Sequence, residues 1–106
     1  MKKDYNKLIR DRIPEIIAAN GQRAETRVLS DEEYAAALEK KLTEEVAEYM
    51  ESKELAELAD VLEVVQALAE RQGVSFDELL QMKAEKQRKN GAFEKKLFLC
   101  CVKQND

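Results

Sequence analysis

Three observations predict a mainly α-helical fold for this chain of 106 residues. Apolar side chains recur at three- and four-residue spacing through both long stretches between residues 31 and 72. Two Ser-x-x-Glu patterns, Ser30 with Glu33 and Ser75 with Glu78, have the form of capping boxes that open helices. The three glycines stand between the periodic stretches, where helices end.

The elements follow in order. Pro14 suits the first turn of a short helix over 14–20, which Gly21 ends. Residues 26–29, with Glu25 before them, read as a brief extended segment. Ser30 opens a long helix over 31–51, and Ser52 is placed to cap a second long helix that runs to 72 and stops at Gly73. Ser75 opens a third, ending near Asn90 and Gly91. Beyond it the run 93–102, FEKKLFLCCV, favours a strand, whose natural partner is 26–29 because a lone strand cannot satisfy its own backbone. The second long helix is apolar nearly all round, so it needs neighbours on several sides. The expected architecture is therefore all-α (mainly α): one domain over 1–106, forming an oligomeric helical bundle with a small β accessory from the 25–29 and 93–102 segments.

Composition narrows the function classes. Charged residues make up 38% of the chain and aromatics 6%, which suits a surface-rich helical protein that completes its core by oligomerising. A net charge of −4 argues against non-specific nucleic-acid binding. No segment is long and apolar enough to cross a bilayer, and the start, MKKDY, lacks the apolar run of a signal peptide. The adjacent Cys100 and Cys101 are expected as free thiols, which fits a cytoplasmic location. Without histidine, a Ser-His-Asp or Cys-His device is impossible. Glycine-rich phosphate loops are absent as well.

The acids carry the chemistry. Glu45-x-x-Glu48 and Glu57-x-x-Asp60 each place two carboxylates one helical turn apart. Folding as a hairpin near Ser52 and Lys53 sets Glu48 opposite Glu57 and Glu45 opposite Asp60. Glu45 falls in the apolar stripe of Leu38, Leu42 and Tyr49, whereas Glu51, Glu63 and Glu70 read as solvated or structural acids. Scattered ExxE patterns usually mark a wet helix face, but a carboxylate aimed into an apolar face must be protonated, paired or metal-bound. An all-oxygen donor set selects a hard ion, Mg²⁺ or else Mn²⁺. Basic candidates for phosphate contacts are Lys7 and Arg10, near the anchoring Leu8, Ile9 and Ile13, and Lys86 within the cations that close the third long helix. The helix dipole explains that last group equally well.

These words together resemble the MazG-like all-α nucleoside triphosphate pyrophosphohydrolase superfamily, which includes phosphoribosyl-ATP pyrophosphohydrolase. Its hallmark, EExxE followed on the next helix by ExxD, is matched by Glu44-Glu45-Val-Ala-Glu48 and Glu57-Leu-Ala-Asp60. One small-protein branch is further matched by YNKLIRDRIP at 5–14, ELADVLE at 57–63, and Glu85-Lys86 with Gly91-Ala-Phe93. Asn90 and Ala92 stand where that branch would carry an arginine and a second glycine, so no phosphate contact is carried to position 90.

The resemblance implies Mg²⁺-dependent hydrolysis of a nucleoside triphosphate between the α and β phosphorus, in a homodimer or homotetramer. Glu45, Glu48, Glu57 and Asp60 would hold metal; Glu44, Glu45 or Glu48 would orient or deprotonate water; Lys7, Arg10 and Lys86 would meet the substrate. Two other functions fit the same chain. One is hydrolysis of phosphoribosyl-ATP or another phosphorylated metabolite. The other is a non-catalytic helical interaction module.

Overall fold

The computed structural model describes residues 2–104, and among these four helices make up the regular structure. They are α1 (Ile13–Ala19), α2 (Asp31–Ser52), α3 (Leu55–Arg71) and α4 (Phe76–Asn90). The fold is all-α. Both capping boxes form: Ser30 Oγ accepts from the Glu33 backbone N–H at 3.2 Å, and Ser75 Oγ accepts from that of Glu78 at 3.1 Å. Each satisfies orphan donors of a first turn and so sets where its helix begins. The Arg27 guanidinium reinforces the first box by donating to both Glu33 oxygens, at 3.2 and 2.9 Å. That pairing, with the Ser30 bonds, holds the Glu33 carboxyl down to about 2.

The turn between α2 and α3 differs in detail from the sequence expectation. Ser52 is the last residue of α2, and the N-cap of α3 is Glu54, whose side chain makes no capping bond. Lys53 takes the left-handed conformation, φ 61°, and returns its N–H to Tyr49 O at 2.8 Å. Ser52 Oγ instead accepts from the Glu54 N–H at 3.2 Å, bridging the two helices. A left-handed residue closing a helix lets the chain reverse within a few residues, and α2 and α3 pack as an antiparallel hairpin. α4 packs against α3 alone among the helices.

The expected β accessory does not form. Among the described residues there is no strand, neither over 25–29 nor over 93–102. The C-terminal run begins with a turn, in which the Lys96 N–H donates to Phe93 O at 3.2 Å and Lys96 has φ 60°. Arg27 is committed to the α2 N-terminus. Apolar composition favours a strand only where a ladder partner stands alongside, and neither segment has one.

Little is buried. Leu38 and Val64 are the only fully buried apolar side chains among the described residues, facing each other's helices across the hairpin. Val61 and Leu68 of α3 are half-buried, while Leu55, Leu58 and Leu62 are exposed. So are Phe93, Leu97, Phe98, Leu99 and Val102. The accessible surface is 10122 Å², against about 6,100 Å² for a compact monomer of this mass. The radius of gyration, 19.2 Å, likewise exceeds the ~13 Å of a compact chain of this length. No described helix is long and apolar enough to cross a membrane.

Candidate metal centre

The hairpin sets the site. Glu45 lies two turns beyond Leu38 on α2, so it inherits the buried face of that helix. On α3, Glu57, Asp60 and Val64 follow at three- and four-residue steps and therefore share one face. Val64 is buried against the hairpin, and Asp60 and Glu57, one and two turns nearer Lys53, are half-buried. Each of Glu45, Glu57 and Asp60 offers a carboxylate oxygen within 4.8 Å of the others'.

Glu45 is the anomalous member. Only 8% of its surface is exposed. Its Oε1 lies 3.5 Å from Lys41 Nζ, one turn back. Its Oε2 is buried with no hydrogen-bond partner. Loss of hydration raises its pKa first; the close, like-charged Glu48 adds to that, Lys41 partly offsets it, and Asp60 raises it again. A carboxylate so placed is driven toward either a proton or a cation.

The remaining candidates are distributed as follows. Glu48 is exposed and lies outside the three-carboxylate cluster, though its charge acts on Glu45. The α2 member of the cluster is thus Glu45, with Glu48 exposed one turn on. Glu44 is half-buried beside Glu45. Arg10 reaches the cluster from the N-terminal segment: Nη2 donates to Asp60 Oδ1 at 2.7 Å and Nη1 to Glu63 Oε1 at 3.4 Å. Lys7 instead lies over the Tyr5 ring, 5.5 Å from its centroid. Lys86 is exposed on α4 and makes no ion pair among the described residues.

Sequence reasoning missed two participants. Lys41 was detectable as the residue four before Glu45, the spacing at which opposite charges meet on a helix. Glu63 reads as a solvated acid, and no local pattern announces its pairing with Arg10, which comes from a distant segment.

The donors fit a hard divalent cation: three carboxylates converge, none is accompanied by nitrogen or sulfur ligands, and the innermost has an unpaired oxygen.

No family model matches the chain, and no solved structure matches it. Over 41 residues it is 63% identical to a protein of Mycolicibacterium smegmatis described only as uncharacterized. That match takes in 39% of this chain and 42% of that protein, so the chain spans less than half the length of the relative it matches.

Proposed function

We propose that the chain is a Mg²⁺-dependent nucleotide pyrophosphohydrolase, converting a nucleoside triphosphate or related nucleotide into the monophosphate and pyrophosphate. The observation that carries this reading is Glu45, more than nine-tenths buried, with an unpaired carboxylate oxygen beside Glu57 and Asp60. The likeness of the EExxE and ExxD words to the MazG-like superfamily supplies the reaction class.

Glu45, Glu57 and Asp60 hold the ion, Mg²⁺ or in its place Mn²⁺, with Glu48 joining from the next turn of α2. When bound, the cation polarises phosphoryl oxygens and neutralises the charge of the departing pyrophosphate. Glu48, open to solvent and next to Glu45, orients the attacking water and accepts its proton, and Glu44 is placed one residue from the same face. Arg10, and Lys7 and Lys86 from the flanking segments, supply positive charge to the phosphates. Lys7 and Lys86 have to be brought to the site by substrate or by a second copy of the chain.

The assembly belongs to this proposal. A chain with only two buried apolar side chains among its described residues and roughly 4,000 Å² of surface beyond a compact monomer's has ample area for an obligate homo-oligomer, whose interfaces run to about 2,000–5,000 Å² in total. The exposed row Leu55, Leu58 and Leu62 is the face offered to the second copy. Exposed thiols at Cys100 and Cys101 suit a cytoplasmic setting.

The test is release of pyrophosphate from a panel of nucleoside triphosphates, extended to phosphoribosyl-ATP, with and without Mg²⁺. Mg²⁺-dependent release from one member is the expected result. No release from any member would favour the non-catalytic interaction module.

A further inference from the structure

Arg10 lies outside every helix and is fifty residues from Asp60 in sequence, yet its guanidinium spans two carboxylates one turn apart on α3. The bond to Asp60 Oδ1 is the short one, 2.7 Å, and that to Glu63 Oε1 is 3.4 Å. Asp60 is also a half-buried member of the three-carboxylate cluster, whose buried acid, Glu45, keeps its Oε2 unpaired. The cluster is therefore partly neutralised: Arg10 pairs with Asp60 and Lys41 lies 3.5 Å from Glu45 Oε1, while Glu45 Oε2 has no partner.

We infer that Arg10 is an intramolecular competitor for the divalent cation at Asp60, kept in place by Glu63, and that displacement from Asp60 turns its guanidinium toward a phosphate of the nucleotide. This inference rests on the metal reading above. A guanidinium cannot shed its proton at any physiological pH, so it yields the carboxylate only by moving. Its planar fork is what allows it to release Asp60 while remaining bonded to Glu63, within reach of the site. A phosphate that takes Arg10 removes the competitor from Asp60. Phosphate and cation binding are then coupled through one side chain, each strengthening the other by the same factor. Arg10 acts here as a positioning residue for the cation and a binding residue for the substrate.

Calorimetric titration of Mg²⁺ alone, at constant ionic strength, tests this on wild type, Arg10→Gln, Arg10→Lys and Arg12→Gln. Arg12 is exposed, stands at the N-cap of α1 and is bonded to Glu15 in its first turn, so its loss changes net charge equally without touching the cluster. Arg10→Gln is expected to bind Mg²⁺ about three- to sixfold more tightly, the competition set by one exposed ion pair. Arg12→Gln should match wild type. Arg10→Lys keeps the charge but cannot fork across both acids, and should fall about twofold on the tight side of wild type. A second arm titrates inorganic pyrophosphate: added Mg²⁺ should tighten its binding to wild type more than to Arg10→Gln. Equal Mg²⁺ affinity in all four proteins, or an equal gain in Arg12→Gln, overturns the inference while leaving the metal centre standing. Absence of binding heat in all four overturns the metal centre and the inference with it.

Discussion

Glu45→Gln should stabilise the protein without metal and destabilise it with metal, relative to wild type. The substitution preserves volume and removes a charge that the structure leaves poorly compensated. A buried unpaired polar atom costs about 1–3 kcal/mol and more when it is charged. The Gln amide nitrogen takes the same position, so the part relieved is the excess due to charge, to which the like charges of Glu48 and Asp60 add. Against this stands the weakened contact with Lys41, whose Nζ lies 3.5 Å from Oε1 with only 20% of the lysine side chain exposed. The Gln amide oxygen still accepts from that ammonium, so roughly 0.5 kcal/mol of an i,i+4 ion pair is lost. The balance is a gain of about 1 kcal/mol, or about 5 °C in melting temperature for a chain of this size. Mg²⁺ reverses the order. Binding to the native state alone adds about 2.7 kcal/mol at a hundredfold excess over Kd, and the variant has lost the central ligand. The assay is thermal unfolding by circular dichroism at one fixed protein concentration, in EDTA and across a Mg²⁺ series. A variant that melts below wild type in EDTA would show that the Lys41–Glu45 pair is a net stabiliser and that Glu45 needs no ion. Melting temperatures independent of Mg²⁺ in wild type would sink the centre altogether.

Glu45 also fixes a pH dependence. Its folded pKa is raised above the 4.5 of the free side chain, so its contribution is fully present below 4.5 and is lost as pH rises through the folded value. In EDTA, wild type should therefore lose stability as pH is raised above 4.5, with a slope that Glu45→Gln flattens; Glu33, held near 2, acts in the opposite sense only between about 4.5 and 2. Glu57→Gln and Asp60→Asn should abolish Mg²⁺-dependent pyrophosphate release while circular dichroism shows the helices unchanged, whereas Glu70→Gln, which loses one 3.3 Å bond from Gln66, should retain it; equal damage at Glu70 would misplace the site. Leu62→Asp, on the exposed face of α3, should shift light scattering to the monomer at micromolar concentration, since each buried Leu contributes about 1.5–3 kcal/mol to an interface. A monomeric wild type in the same measurement would refute the assembly.

Helix identity and the starts of α2 and α4 were readable because their causes are local, whereas the expected cap of α3 at Ser52 was not the one used. Ser30 with Glu33 and Ser75 with Glu78 act within one turn of backbone, and both boxes are present in the fold. The buried placement of Glu45 was equally legible, because its register with Leu38 is a property of the helix itself. The alternation of acids on α3 likewise puts Glu57 and Asp60 on the Val64 face before any neighbour is known. What a one-dimensional pattern leaves open is which elements meet. The extended segment at 25–29 and the apolar run at 93–102 look like strands, yet a strand exists only where another backbone completes its hydrogen bonds, and none stands beside them among the described residues. On α3 two apolar rows are present in the sequence, and packing on α2 decides that Val61, Val64 and Leu68 turn inward while Leu55, Leu58 and Leu62 remain open. The chain reverses at the left-handed Lys53, and packing of the two helices brings Glu45 together with Glu57 and Asp60. Arg10 meets Asp60 and Glu63 only because the N-terminal segment folds back over α3. Side-chain direction along a helix follows from backbone geometry within a few residues, whereas contacts between distant segments depend on how all the faces of the chain compete to be covered.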